Sequence, residues 1–369
     1  MSVNVYFANI KARNPHQNKI SKIQKLFEKA GFGDFLNKND LTAIKIHFGE
    51  KGNDGYINPV FIRQIVDKIK EKGAKPFLTD CNTIYGGTRS NSVDHIITAI
   101  EHGFAYSVVG APVIISDGLK SKNIAQVEIN KKHFQKVKIG RDIFDADNII
   151  VVSHFKGHEL AGFGGAIKNL GMGCAVPRGK KEQHSLKFVV NQDKCTGCEE
   201  CISVCPESAI SLQDGKAFID NTKCIGCGEC MGNCPVQAQE IDWRTEITPF
   251  NERLVEYAYG VLQNKKDKAG YINFLINITP NCDCFPWSDM PIVPDIGILA
   301  SKDPVAIDRA SFDLVNKQTG FKNTQLKSNH EAGLDKFKGM RPHTNSYVQI
   351  EYGQEIGLGQ SDYNLIDID

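Results

Sequence analysis

Short apolar runs and longer amphipathic stretches alternate along the chain. The runs are VNVYFANI near residue 3, LTAIKIHF near 41, KPFLTD near 75, APVIIS near 111 and NIIVVSHF near 148. Each has the length and β-branched or aromatic content of a strand. Two more, YINFLINI near 271 and VQIEY near 348, predict strands late in the chain. Between the runs, apolar positions recur at three and four. In NPVFIRQIVDKIKEKG, Pro59 stands near the start and Gly73 after the end. In DPVAIDRASFDLVNKQTG, Asp303 caps, Pro304 fills the first turn and Gly320 closes. These are helix signals. Strands alternating with helices predict an α/β core domain with a largely parallel or mixed sheet.

That order is interrupted. From Cys195 the chain reads CTGCEECISVCP, and from Cys224 it reads CIGCGECMGNCP. Both are C-x2-C-x2-C-x3-C-P, the run of bacterial two-cluster ferredoxins. Three thiolates in a tight loop bind three irons of one cubane, and the fourth cysteine, before its Pro, ligates the other cluster. The spacing therefore predicts two [4Fe-4S] clusters. Cys195, Cys198, Cys201 and Cys234 hold the first; Cys224, Cys227, Cys230 and Cys205 hold the second. Gly197, Gly226 and Gly228 allow tight turns that aim backbone N–H groups at sulfur. A pair of zinc knuckles would not need the fourth, Pro-flanked cysteine. Between the runs, Asp214-Gly215 is a hairpin signal. The expected organisation is an α/β core at 1–187, a small α+β ferredoxin-like insert at 188–242, and the rest of the core at 243–369.

Composition narrows the function classes. The chain has 369 residues, 41% hydrophobic and 24% charged, with a net charge of +1. There is no basic surplus to hold a phosphate backbone, so nucleic acid is not an expected partner. The start MSVNVYFANIKARN lacks a secretory pattern, and no apolar run is long enough to span a bilayer. The expectation is a cytoplasmic protein without a membrane role. In that compartment its twelve cysteines point to metal or redox chemistry rather than to disulfide scaffolding.

Candidate chemistry gathers where predicted strands end. The stretch after NIIVV carries His154, Lys156, His158 and Lys168 among six glycines between Gly157 and Gly173, with His184 beyond. Glycines this dense let backbone N–H groups approach an anion or a cluster, or simply allow a close-packed turn. The loop matches neither the Walker A nor the G-x-G-x-x-G spacing, so NAD and FAD are not indicated; FMN leaves no short motif to read. His47 and Asp80 end two other strands, and Asp80 could serve as an acid, a metal ligand or a turn cap. Strand ends on one sheet edge would bring His47, Asp80, His154 and His158 together. After YINFLINITP comes NCDCF, with Cys282 and Cys284 flanking an Asp. Such a pair could hold an additional metal ion, act as redox or sulfur-handling thiols, or be structural. Cys81 and Cys174 are read as structural.

The blocks KIHFGE, TDCNTIYGG, HFKGHELAGFGGAIKNLGMG, NCDC and SKDPVAID resemble the uncharacterised iron–sulfur-centre proteins of the domain-of-unknown-function group 362, in the version with an inserted two-cluster ferredoxin unit. The likeness runs along nearly the whole chain. It implies cluster binding, an anaerobic setting and a core of unassigned activity. The expected function is a redox enzyme in which the insert exchanges low-potential electrons with a site lined by His47, Asp80, His154, Lys156, His158, Lys168, Cys282 and Cys284. A redox partner protein or a small anionic substrate would meet it. The alternatives are an electron carrier with a large docking domain, and a metal- or cluster-delivery factor. Substrate, direction of electron flow and oligomeric state leave no trace in the sequence.

Overall fold

The computed structural model describes residues 2–185, 187–205, 207–224, 229–242 and 246–369. Cys227, Gly226 and Gly228 lie outside the described residues. Eight strands build the central sheet: β1 (Val3–Asn9), β2 (Leu41–Lys45), β3 (Lys75–Asp80), β4 (Val113–Ile115), β5 (Asn148–His154), β6 (Ala269–Leu275), β7 (Gly297–Ser301) and β8 (Tyr363–Asp367). Their spatial order is β8-β1-β7-β6-β5-β2-β3-β4. All run the same way except β7, which is antiparallel to both neighbours.

Strand β5 shows why this sequence makes a central strand. Every residue in it is buried. Ile149 and Val151 enter one core, and Ile150 and Val152 enter the other. Side chains alternate across a strand, so a continuous apolar run suits a sheet covered on both faces. One face carries α1 (Lys19–Lys29), α2 (Pro59–Glu71) and α3 (Ser92–Glu101). The other carries α4 (Ala166–Gly171), α5 (Pro177–His184), α6 (Ile247–Val261), α7 (Pro304–Asn316) and α8 (Val348–Glu355). Capping matches the expectation at α2 and α7. Asn58 accepts from Val60 N at 3.0 Å, and Asp303 accepts from Val305 N and Ala306 N at 2.9 and 2.8 Å.

Three local expectations are corrected, and one strand was not foreseen. VQIEY forms α8 and not a strand. Its period-two pattern is overridden because Gln349 is buried among the apolar residues, donating to the carbonyls of Ala161 and Phe163 at 2.9 and 3.3 Å. The strand at YINFLINITP ends at Leu275, so the NCDC segment begins after a longer loop. Helix α7 stops at Asn316, before Gly320. The run GILAS, too short to stand out, supplies the antiparallel β7.

A smaller unit has its own packing. Lys187–Val190 pairs with Gln239–Asp242, and Ile210–Gln213 pairs with Lys216–Ile219. Asp214 and Gly215, at φ 50° and 73°, make the tight turn of the second pair. Phe188, Ile210, Ala217, Ile219 and Ala238 cluster with Cys195, Cys201 and Cys230. Among the described residues, no helix is long and apolar enough to cross a membrane.

Candidate active site

The chain order β2-β3-β4 steps outward across the sheet, and β5 returns to the other side of β2. The carboxyl ends of β2 and β5 therefore flank a topological switch point, where α/β sheets open a crevice. A cavity of about 770 Å³ lies there, lined by His47, Asp80, His154, Lys156, His158, Lys168 and Cys284. Strand-end placement thus brings together all the expected core residues, with Cys282 joined covalently to Cys284.

The β2–β3 side is a buried charge network. Lys45 Nζ, facing inward from β2, bonds Asp80 Oδ1 at 3.0 Å and Asn169 Oδ1 at 2.6 Å. Burial pushes the Asp80 carboxyl up, but the neighbouring charges, Lys45 first and then Arg89, outweigh it and hold its pKa below the ordinary value. Asp80 is therefore an ionised anchor for Lys45. Arg89, only 1% exposed, reaches Glu50 Oε2 and His47 Nε2, each at 3.1 Å, and Tyr85 Oη at 2.7 Å. Thr88 closes the other Glu50 oxygen with N–H and hydroxyl donors at 2.7 and 2.6 Å. Burial, then the Arg89 charge, drives the His47 pKa well below its usual value, so its ring is neutral.

The β5 side fixes the NCDC segment. Asp283, between the two cysteines, is clamped by Lys156 Nζ at 2.7 Å and His154 Nδ1 at 3.0 Å. Its pKa falls far below the carboxylate range, against the effect of burial, because of those two partners. His154 Nε2 faces the Asn277 carbonyl at 2.8 Å, so both its nitrogens meet acceptors and the ring ties loops together. His158 differs. Its Nδ1 accepts from Leu160 N and Ala161 N at 3.2 and 3.1 Å, which leaves Nε2 to carry the proton. Burial and the Lys168 charge hold that ring neutral. Lys168 Nζ sits 3.1 Å from Cys282 Sγ. Burial and the nearby Lys156 charge lower its pKa to about 7.

At the start of α4 the glycine-rich loop meets a carboxylate of the chain's own. Asp308 of α7 already accepts from Ala166 N and Ile167 N, at 2.7 and 2.9 Å, and from Asn273 Nδ2 at 2.7 Å. A Cβ at Gly165 would collide with that carboxylate, and one at Gly171 with the Leu254 carbonyl. The glycines are there for close packing against the chain's own atoms. Cys81 and Cys174 are buried side by side, with Cys81 Sγ 3.3 Å from the Cys174 carbonyl. Burial raises both thiol pKa values, that of Cys174 to about 12.

The cysteine runs fit a cluster. Burial raises the Cys201 thiol pKa, and Cys195, Cys198 and Cys234, the three partners that the crossed spacing assigns to it, lie near enough to add to the rise. Cys195, Cys205 and Cys234 sulfurs accept from the N–H groups of Ala217, Ala209 and Ala238 at 3.4, 3.3 and 3.2 Å. Such N–H···S bonds tune thiolate ligands of iron–sulfur clusters. No group of three His, Cys, Asp or Glu side chains among the described residues, those of the runs included, is arranged to hold a single metal ion. The Cys282–Cys284 disulfide offers no thiolate to one.

The family model described as Domain of unknown function (DUF362) matches residues 42–313. The chain belongs to the DUF362 family. The match runs from β2 into α7 and so encloses the cavity walls and Asp308. This DUF362 chain also carries a ferredoxin-like stretch. It is 55% identical over 29 residues to Ferredoxin-2 of Desulfomicrobium norvegicum, 8% of this chain and 49% of that protein. It is 61% identical over 28 residues to Ferredoxin-1 of Nitratidesulfovibrio vulgaris, again 8% of this chain and 45% of that protein. The chain spans about half the length of the curated relatives it matches. Among solved structures, the lactate racemase apoprotein from Thermoanaerobacterium thermosaccharolyticum is 15% identical at a TM-score of 0.37, over 69% of this chain and 49% of that one. A protein of Thermotoga maritima is 11% identical at a TM-score of 0.35, over 70% and 50%. Likenesses this slight carry no argument.

Sequence reasoning missed Lys45, Glu50, Tyr85, Arg89 and Lys180 in this DUF362 site. Lys45 had a signal, a lone cation inside the apolar strand AIKIHF. Arg89 had none, because it lies in a loop and is drawn inward by Glu50, which is distant in sequence.

Proposed function

We propose that this DUF362 chain is an iron–sulfur oxidoreductase. In this reading a ferredoxin-like insert at 188–242 holds two [4Fe-4S] clusters and exchanges electrons with the cavity of the core. The observation that carries it is helix α5. Its Lys181 Nζ donates to the carbonyl of Cys224, and its Arg178 meets Glu207 at 3.0 Å, on the side of the small unit. Its Lys180 and His184 line the cavity. One short helix therefore joins the cysteine-rich unit to the pocket.

Bound clusters would supply single electrons at low potential. The chain's own residues do the rest. Lys168 and Lys180 present positive charge to an anionic ligand, and His158 offers an Nε2–H donor beside it. Ile57, Ile84, Leu160, Met172 and Phe285 give the same cavity an apolar wall that excludes water. Lys168, with a pKa of about 7, can give or take a proton at neutral pH.

The test is anaerobic purification with iron and acid-labile sulfide analysis. About eight irons per chain, bleached by dithionite, match the reading. Zinc in place of iron and sulfide would sink it.

A further inference from the structure

Holding an anion and receiving electrons do not require the covalent link between Cys282 and Cys284. The two sulfurs are unequally placed. Cys282 is 1% exposed, with Lys168 Nζ 3.1 Å from its sulfur. Cys284 is only partly buried and lines the cavity beside Phe285 and Pro286. The segment between them is held from two directions. Lys156 and His154 grip the Asp283 carboxylate, and its carbonyl accepts from Glu50 N at 2.9 Å. Opening the S–S bond would leave both sulfurs anchored.

We propose that Cys282 and Cys284 form a redox-active pair, in which Cys284 exchanges with the cavity and Lys168 stabilises the thiolate of Cys282. The proposal rests on the oxidoreductase reading for its source of electrons. Reduction breaks the S–S bond and takes up two electrons, delivered singly by reduced clusters that an external one-electron donor has charged. One proton ends on Cys284. Cys282 stays a thiolate against the Lys168 ammonium. A two-electron thiol reductant does the same by attacking Cys284 Sγ, with Cys282 as the leaving group. A cation beside the departing sulfur lowers its pKa and speeds that step. Cys81 and Cys174 have no such placement, since neither lies on an exchangeable bond.

The test uses the full chain purified without oxygen. Samples are alkylated under denaturing conditions before and after dithiothreitol, and the peptide with Cys282 and Cys284 is weighed. No label before reduction and a label on both cysteines afterwards is the expected result. At pH 7, Lys168→Met should slow reduction about tenfold, and Lys168→Arg should restore most of the rate. A fully labelled peptide before any reductant, or an unchanged rate in Lys168→Met, overturns the proposal. The thiol count in the unaltered chain decides even if a variant fails to fold. A dithionite arm separates the two ideas. Clusters that bleach while the peptide stays unlabelled overturn the redox pair and leave the oxidoreductase reading standing. A chain without iron whose pair still behaves as expected with dithiothreitol overturns the oxidoreductase reading instead.

Discussion

Asp308 shows how one side chain can decide what a loop is for. Its carboxylate fills the position an external anion would take at the start of α4, where Ala166 N and Ile167 N point. Replacing it with Ala would orphan those two donors and Asn273 Nδ2. The expected cost is about 2–3 kcal/mol, read from the denaturant midpoint; a loss under ~0.5 kcal/mol would contradict this role. The buried histidines set a second expectation. Burial, together with nearby cations, lowers the pKa values of His47, His95 and His158, that of His95 to about 3. The unfolded chain takes up these protons below about pH 6.5 while the folded chain does not. Their contribution is therefore full above about pH 6.5 and is lost as pH falls toward the folded values, at up to about 1.4 kcal/mol per pH unit for each ring. His95→Gln should flatten that slope. A slope unchanged in the variant would count against it.

At the scale of elements, the strands were legible because an apolar run buried on both faces has no other good solution. The ends of β2, β3 and β5 could be read as a site edge for the same reason: parallel strands put His47, Asp80 and His154 at one end. Less was legible where tertiary contacts decide. VQIEY alternates like a strand, yet its Gln349 is needed inside, against Ala161 and Phe163, and the segment coils into α8. The glycine-rich stretch could be an anion cradle or a packing surface by sequence alone; Asp308, far along the chain, takes up the N–H groups of Ala166 and Ile167. Packing makes a prediction here. Gly171→Ala would drive a methyl group into the Leu254 carbonyl and prise α4 from α6. It should cost about 1–3 kcal/mol, whereas Gly232→Ala, with nothing near the added Cβ, should not. Equal effects in thermal melts would show that the α4–α6 contact is not tight. Helix α5 carries an electrostatic contrast. The Arg178–Glu207 pair is exposed, so Arg178→Ala should change stability by less than about 1 kcal/mol. On the proposed oxidoreductase reading, Lys181→Met should instead slow electron passage between the small unit and the cavity, read as the rate of disulfide reduction after the clusters are reduced.

For the whole molecule, the proposed reading joins a one-electron store in the cysteine-rich unit to an apolar, cation-bearing cavity at the switch point of the sheet. The cysteine runs were legible because eight sulfurs at fixed spacing have few other uses. The buried network of Lys45, Glu50, Tyr85 and Arg89 was not, since charges are drawn inside only by partners distant in sequence. The claim that the clusters pass electrons to the Cys282–Cys284 pair is most directly tested by counting. Holoprotein would be titrated anaerobically with dithionite, and the electrons accepted per chain would be measured. Two [4Fe-4S] clusters taking one electron each, and a disulfide taking two, predict about four. The Cys282→Ser, Cys284→Ser double variant should accept about two. Uptake that is the same in both proteins would contradict electron transfer from the clusters to the Cys282–Cys284 pair.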